Sequence, residues 1–142
     1  MRYIFLLLAC SIPMLCLSQH SSVVGKWKAV DDLTGKVVSV IEIYEKGGKI
    51  YGDVIEITNV ADRKKKCTLC EGADKNKPII GLTVIKGLKK DGKEYNGGYI
   101  LDPRQGKLYK CYLTSEGPDK LKLRGYVGIS FIGRTQYWYR VK

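Results

Sequence analysis

From Gly25 to the end of the chain, apolar and polar residues alternate with a period of two, and no stretch keeps a helical period over several turns. A chain with this pattern has one apolar face per strand to bury, and helices are excluded as its main element. The pattern predicts strands over Gly25–Val30, Val37–Glu45, Lys49–Thr58, Thr83–Lys89, Glu94–Leu101, Lys107–Thr114, Lys120–Ser130 and Arg134–Val141. Turn residues separate them at Leu33-Thr34-Gly35-Lys36, Lys46-Gly47-Gly48, Asp91-Gly92, Asp102-Pro103-Arg104-Gln105-Gly106 and Glu116-Gly117-Pro118-Asp119. About eight antiparallel strands with hairpin-length connections form a meander. Such a meander buries its inner face and loses its edges by closing into an up-and-down barrel. A flattened sandwich has the same strand spacing and stays open as the alternative. The one long connection runs from Asn59 to Gly81.

The first residues belong to a different class. Met1-Arg2-Tyr3 is a short positive start, and Ile4–Leu17 is apolar except for Ser11 and Pro13. That core is shorter than the ~20 residues a membrane-spanning helix needs. Cys16 and Ser18 are small residues spaced for cleavage before Gln19. Residues 1–18 are therefore expected to be a secretory signal peptide and residues 19–142 a single β-barrel domain. The alternatives are an N-terminal core helix or a lipoprotein box, Leu7-Leu8-Ala9-Cys10, that anchors the chain through Cys10. The expected compartment is periplasmic or extracellular, with no transmembrane segment in the mature chain and a monomeric state.

Charge follows the same division. The chain carries 25 Lys+Arg against 14 Asp+Glu. The excess is greatest over residues 60–93, where ten cations face four carboxylates. Arg63, Lys64, Lys65, Lys66, Lys75 and Lys77 form a basic patch within the long connection, about residues 60–81. They could meet an anionic envelope surface or simply be solvated. Nucleic acid is not an expected partner of an exported protein.

Cys67-Thr68-Leu69-Cys70 sits inside that basic connection. A local disulfide suits an oxidising compartment. A redox pair would need a βαβ setting, and covalent haem would need His where Glu71 stands. A zinc site needs four ligands, and the single His, His20, is far off at the start. Cys67 and Cys70 are thus expected to pair, with no metal or cofactor. Cys111 falls on the inward set of its strand and reads as a buried thiol, with pairing to Cys67 or Cys70 left open by the sequence.

Trp27, Arg134, Trp138 and Arg140 form the other candidate group. An Arg over a Trp face would cap a barrel end. Alternatively, one Arg would anchor a ligand carboxylate inside the barrel. Arg134, Gln136, Trp138 and Arg140 share one face of the last strand, Tyr137 and Tyr139 the other, and the pattern leaves open which points inward. No His is placed to activate a serine, no phosphate-cradling loop precedes a helix, and no catalytic residue is assigned.

Gly25-Lys26-Trp27 on the opening strand, with an Arg on the closing one, resembles the calycin pattern of lipocalins and fatty-acid-binding proteins. A closer resemblance covers about Gly25 to Arg140. It rests on Ile43-Tyr44-Glu45, Lys49-Ile50-Tyr51-Gly52, Cys67-Thr68-Leu69-Cys70, Lys77-Pro78-Ile79-Ile80-Gly81 and Gly97-Gly98-Tyr99-Ile100-Leu101-Asp102-Pro103. Its most specific segments are Arg124-Gly125-Tyr126-Val127-Gly128 and Gly133-Arg134-Thr135, with Trp138 and Arg140. The chain resembles the exported bacterial family called domain of unknown function 2147. The resemblance implies an exported lipocalin-like barrel and carries no established activity. The expected function is a binding module for a small apolar or amphipathic molecule. The rival is a filled barrel that acts as an envelope structural or surface-interaction protein through its basic face.

Overall fold

The computed structural model describes residues 22–129 and 131–142. The expected signal peptide over residues 1–18, Cys10, Gln19 and His20 lie outside the described residues. Eight strands follow in order: β1 Gly25–Val30, β2 Val37–Lys46, β3 Lys49–Ile57, β4 Thr83–Asp91, β5 Glu94–Asp102, β6 Lys107–Ser115, β7 Lys120–Tyr126 and β8 Gly133–Arg140. Each pairs antiparallel with its neighbour in sequence, and β1 pairs with β8, so the sheet closes into a barrel. Closure decides against the sandwich: Trp27 pairs with Arg140 and Lys28 with Tyr139. The Val141 N–H donates to the Lys26 carbonyl at 2.9 Å, extending the seam by one bond. The seam is short, and it joins β1 to β8 at the end of the barrel where Trp27 and Arg140 lie.

The alternation sorts inner from outer residues as expected. On β7, Leu121 and Leu123 are buried between Lys120, Lys122 and Arg124. Their partners on β8 are Trp138 and Gln136, which makes the Arg134–Gln136–Trp138–Arg140 set the inward face; Tyr137 and Tyr139 are exposed. Trp27, Ile41, Ile43, Val54, Ile85, Leu88, Leu113, Leu121 and Trp138 fill the interior, each with at most 5% of its surface exposed. Gly52 makes this density possible, because a Cβ there would lie 3.0 Å from both Ile41 and Ile85 side chains.

Strand limits differ from expectation at the ends. β7 stops at Tyr126 instead of reaching Ser130. Beyond the Tyr126–Gly133 rung the chain turns back, and the Val127 N–H donates to the Ile132 carbonyl at 3.0 Å. Residues 127–129, expected to continue the strand, lie in a loop instead. β8 accordingly starts one residue earlier, at Gly133, and ends at Arg140, while β4 continues to Asp91.

An eight-stranded meander has two poles. The terminal pole carries both ends of the described chain and the tight β2–β3, β4–β5 and β6–β7 turns. The link pole carries the β1–β2, β5–β6 and β7–β8 loops and the long β3–β4 link. The link holds two 3₁₀ turns, Val60–Asp62 and Gly72–Asp74, as its only helical elements.

Candidate functional site

At the terminal pole, Trp27 and Arg140 meet as the calycin pattern implies. Trp27 is fully buried, and its indole N–H donates to the Val23 carbonyl at 2.9 Å. The Arg140 guanidinium carbon lies 4.2 Å from the centre of the Trp27 ring. Its N–H groups donate to the carbonyls of Pro118, Val24 and Ser22 at 2.8, 3.1 and 2.7 Å. A guanidinium with a fixed fork of donors can satisfy several convergent carbonyls at once, and here it closes the barrel end. Trp138 is buried, and its indole N–H donates to Gln136 Oε1 at 3.1 Å. The cap thus joins Trp27 and Arg140, while Trp138 belongs to the core cluster.

Arg134 sits at the opposite pole and does not join them. Its Nε donates to Asp32 at 2.9 Å, and a second guanidinium nitrogen donates to the other Asp32 oxygen. This bidentate pair holds the Arg134 pKa above its ordinary value, chiefly through the Asp32 hydrogen bond. A ligand carboxylate would have to displace Asp32. Beside it, Asp31 accepts from the Leu33 and Thr34 N–H groups at 2.8 and 3.0 Å and from Arg104 at 3.2 Å. Those backbone donors, followed by Arg104, keep its carboxyl below the usual carboxylate range. Arg104 was not among the residues singled out by sequence pattern. Only the fold brings the β5–β6 loop against the β1–β2 loop.

The link is an ordered layer, not a solvated tether. Cys67 and Cys70 form a disulfide, and both are buried. They join the core cluster together with Leu82, Val84 and Leu101. The link's backbone is pinned to itself and to β3: the Cys67 N–H donates to the Lys77 carbonyl at 2.8 Å, Ile79 to Lys65 at 3.0 Å and Gly81 to Val54 at 2.7 Å. Lys86, on the strand face opposite buried Ile85, reaches Asp74 of the link at 2.7 Å. That hydrogen bond is the first cause that holds the Asp74 carboxyl below its usual range. Gly106 in the β5–β6 loop has φ +66°, and a Cβ there would collide with the Leu69 carbonyl, so only glycine lets the two segments touch.

The basic patch divides. Arg63 donates to the Ile57 carbonyl at 2.9 Å, Lys65 pairs with Asp62 at 2.7 Å and Lys77 lies 3.6 Å from Asp74. Lys64, Lys66 and Lys75 are exposed, with no carboxylate at ion-pair distance among the described residues. Cys111 is buried on the inner face of β6, paired with Gly98 and Gly125, and is not brought to the link cysteines. Burial pushes its thiol pKa up to about 12. Among the described residues, no three His, Cys, Asp or Glu side chains converge as metal ligands.

Surface clefts flank the link on two sides. One, of about 510 Å³, lies where the link meets the β5–β6 hairpin, and is lined by Cys70, Glu71, Leu101, Lys107, Leu108, Tyr109 and Val127 among others. The second, of about 650 Å³, lies beside the stacked Tyr44–Tyr51 pair and is ringed by Lys46, Lys49, Lys77 and Lys86.

The fold and these features define a lipocalin-like barrel capped at one pole by Trp27 and Arg140. The chain belongs to the family described as an uncharacterized protein conserved in bacteria, DUF2147, whose profile matches residues 25–140. Among solved structures it is similar to protein HP1028 from the human pathogen Helicobacter pylori, a protein described as belonging to the lipocalin family. The identity is 22%, the TM-score is 0.74, and the match covers 85% of this chain and 84% of that one. No curated protein matches the chain significantly.

Proposed function

We propose that this protein is an exported, non-enzymatic binding protein for a small amphipathic molecule. The ligand is held in the cleft between the link and the β5–β6 hairpin, not deep inside the barrel. The cleft itself carries the reading. Its volume of about 510 Å³ is in the range of small-molecule sites, and Leu101, Leu108, Tyr109 and Val127 lie beside Lys107 and Glu71 on its walls. The filled inner face favours this place over a central cup, because Trp27, Ile43, Leu113 and Leu121 leave no exposed surface there to line one. The disulfide supports export, since such bonds persist in oxidising compartments.

Native mass spectrometry of protein purified from its own host tests the proposal, together with displacement of an environment-sensitive dye. A co-purifying small molecule, and dye binding that Leu108→Trp abolishes, are the expected results. A protein without extra mass, whose dye binding Leu108→Trp leaves unchanged, overturns the cleft as the site.

A further inference from the structure

The two poles differ in the residues they expose. The turns of the terminal pole are Lys46-Gly47-Gly48-Lys49, Asp91-Gly92-Lys93-Glu94 and Glu116-Gly117-Pro118-Asp119, with no Val, Leu, Ile, Phe, Tyr or Trp among them. The link pole carries Leu33 on the β1–β2 loop, Leu69 on the link and Val127, Ile129, Phe131 and Ile132 on the β7–β8 loop. All six are exposed, Phe131 by 88% and Leu33 by 80%. A side chain this apolar gains nothing from water, and several at one pole exceed the single scattered exposures of an ordinary surface.

These loops are held as one platform. Arg104 ties the β5–β6 loop to Asp31, and Arg134 ties the start of β8 to Asp32. The Leu69 backbone lies against Gly106, and Val127 shares the cleft with Cys70 and Gly106. The β7–β8 tip, Val127–Ile132, contains no charged residue, whereas the link carries Lys64 and Lys66, exposed and with no carboxylate at ion-pair distance among the described residues. Apolar tips beside unpaired cations match the chemistry of an anionic bilayer surface, with an apolar zone below a negatively charged headgroup layer.

We infer that the link pole docks on the surface of an anionic lipid bilayer. Phe131, Ile132 and Leu33 enter the interface, and Lys64 and Lys66 face the headgroups. The inference goes beyond the small-molecule reading and does not depend on it, because Phe131 and Ile132 are not among the residues that line the cleft.

Co-sedimentation of the mature protein with vesicles tests it, using phosphatidylcholine alone and phosphatidylcholine with phosphatidylglycerol. Binding is expected only to the anionic vesicles and weakens as salt rises. The double variant Phe131→Asp/Ile132→Asp is expected to weaken it by about tenfold or more. Lys64→Glu/Lys66→Glu should weaken it to a similar degree, about tenfold or more. Lys93→Glu, at the other pole, leaves it unchanged. All these positions are exposed, so thermal unfolding should confirm that each variant keeps the wild-type fold. Three results overturn the inference: absence of wild-type binding to anionic vesicles at low salt, equal binding to neutral ones, or anionic binding that survives the Phe131/Ile132 change. Binding to the soluble polyanion heparin as tight as that to vesicles, and equally indifferent to Phe131, also overturns it, in favour of a purely electrostatic surface. Cleft occupancy, read separately by dye displacement, shows whether the small-molecule reading stands or falls independently.

Discussion

Arg140 and Trp27 are partners twice over: their backbones are paired across the seam of the barrel, and the guanidinium of one covers the ring of the other at 4.2 Å. The interaction therefore joins the strands that close the sheet and plugs the end of its core. Trp27→Ala should cost about 3–5 kcal/mol, since it empties a fully buried aromatic site. Arg140→Ala should cost less, about 1–3 kcal/mol, through the lost cation–π contact and the unsatisfied carbonyls of Ser22, Val24 and Pro118. Arg140→Lys should recover little, because one ammonium cannot reproduce the fork. Urea unfolding of the three variants checks the order.

Asp31 makes stability depend on pH with a definite sign. Its folded-state pKa is lowered, so the folded chain releases a proton more readily than the unfolded one. The stabilisation is full above the ordinary aspartate pKa of about 3.9 and is lost as pH falls through the lowered folded value. Asp31→Ala should thus be less stable than wild type at pH 7, and the difference should shrink steadily below about pH 4. Thermal melts of both proteins across that range give the comparison. A difference that stays constant down to the acid limit removes Asp31 as its source.

The Cys67–Cys70 bond closes a very short ring, for which chain entropy predicts only about 2 kcal/mol. Its loss should appear mainly in the link. Reduction, or Cys67→Ser/Cys70→Ser, should raise hydrogen exchange at the amides of Cys67, Asn76 and Ile79, whose bonds pin that segment. Amides of the β7–β8 ladder should keep their protection. Equal loosening in both places would mean that the link holds the whole barrel together.

Cys111 should report global unfolding. Its thiol is buried and its pKa raised to about 12, so a soluble alkylating reagent at pH 8 finds almost no thiolate and no access. Labelling of the native protein should require opening of the barrel and should track denaturant concentration. Rapid labelling without denaturant would show that β5, β6 and β7 separate locally.

The strands and their closure were readable because each inner face is marked by alternation, most plainly in Lys120-Leu121-Lys122-Leu123-Arg124. Trp27 was readable as a seam residue because an up-and-down barrel must pair its first and last strands. The inward face of β8 was not readable, since both of its faces carry large aromatics. Only pairing with Leu121 and Leu123 decides it. The Arg104–Asp31 pair and the Gly106–Leu69 contact join segments far apart in the chain, which no local pattern encodes. Residues 127–129 read as the end of a strand because their types suit one, while the Val127 and Ile129 hydrogen bonds belong to a turn.

The position of the two chain ends has a practical result. Ser22 and Val24 are bound by Arg140, and Val141 is bonded to Lys26, so the two ends of the described chain lie side by side at one pole. A short bridge between them would make a circularly permuted chain, reopened at the Asp91-Gly92 turn, that preserves every inner residue. A bead, a fusion partner or a lipid chain attached at either end would hold the molecule with Phe131 and the disulfide pointing away from the attachment. The orientation of a captured molecule is thus set in advance by the parity of its strand number: with eight strands, an even number, start and finish share a pole.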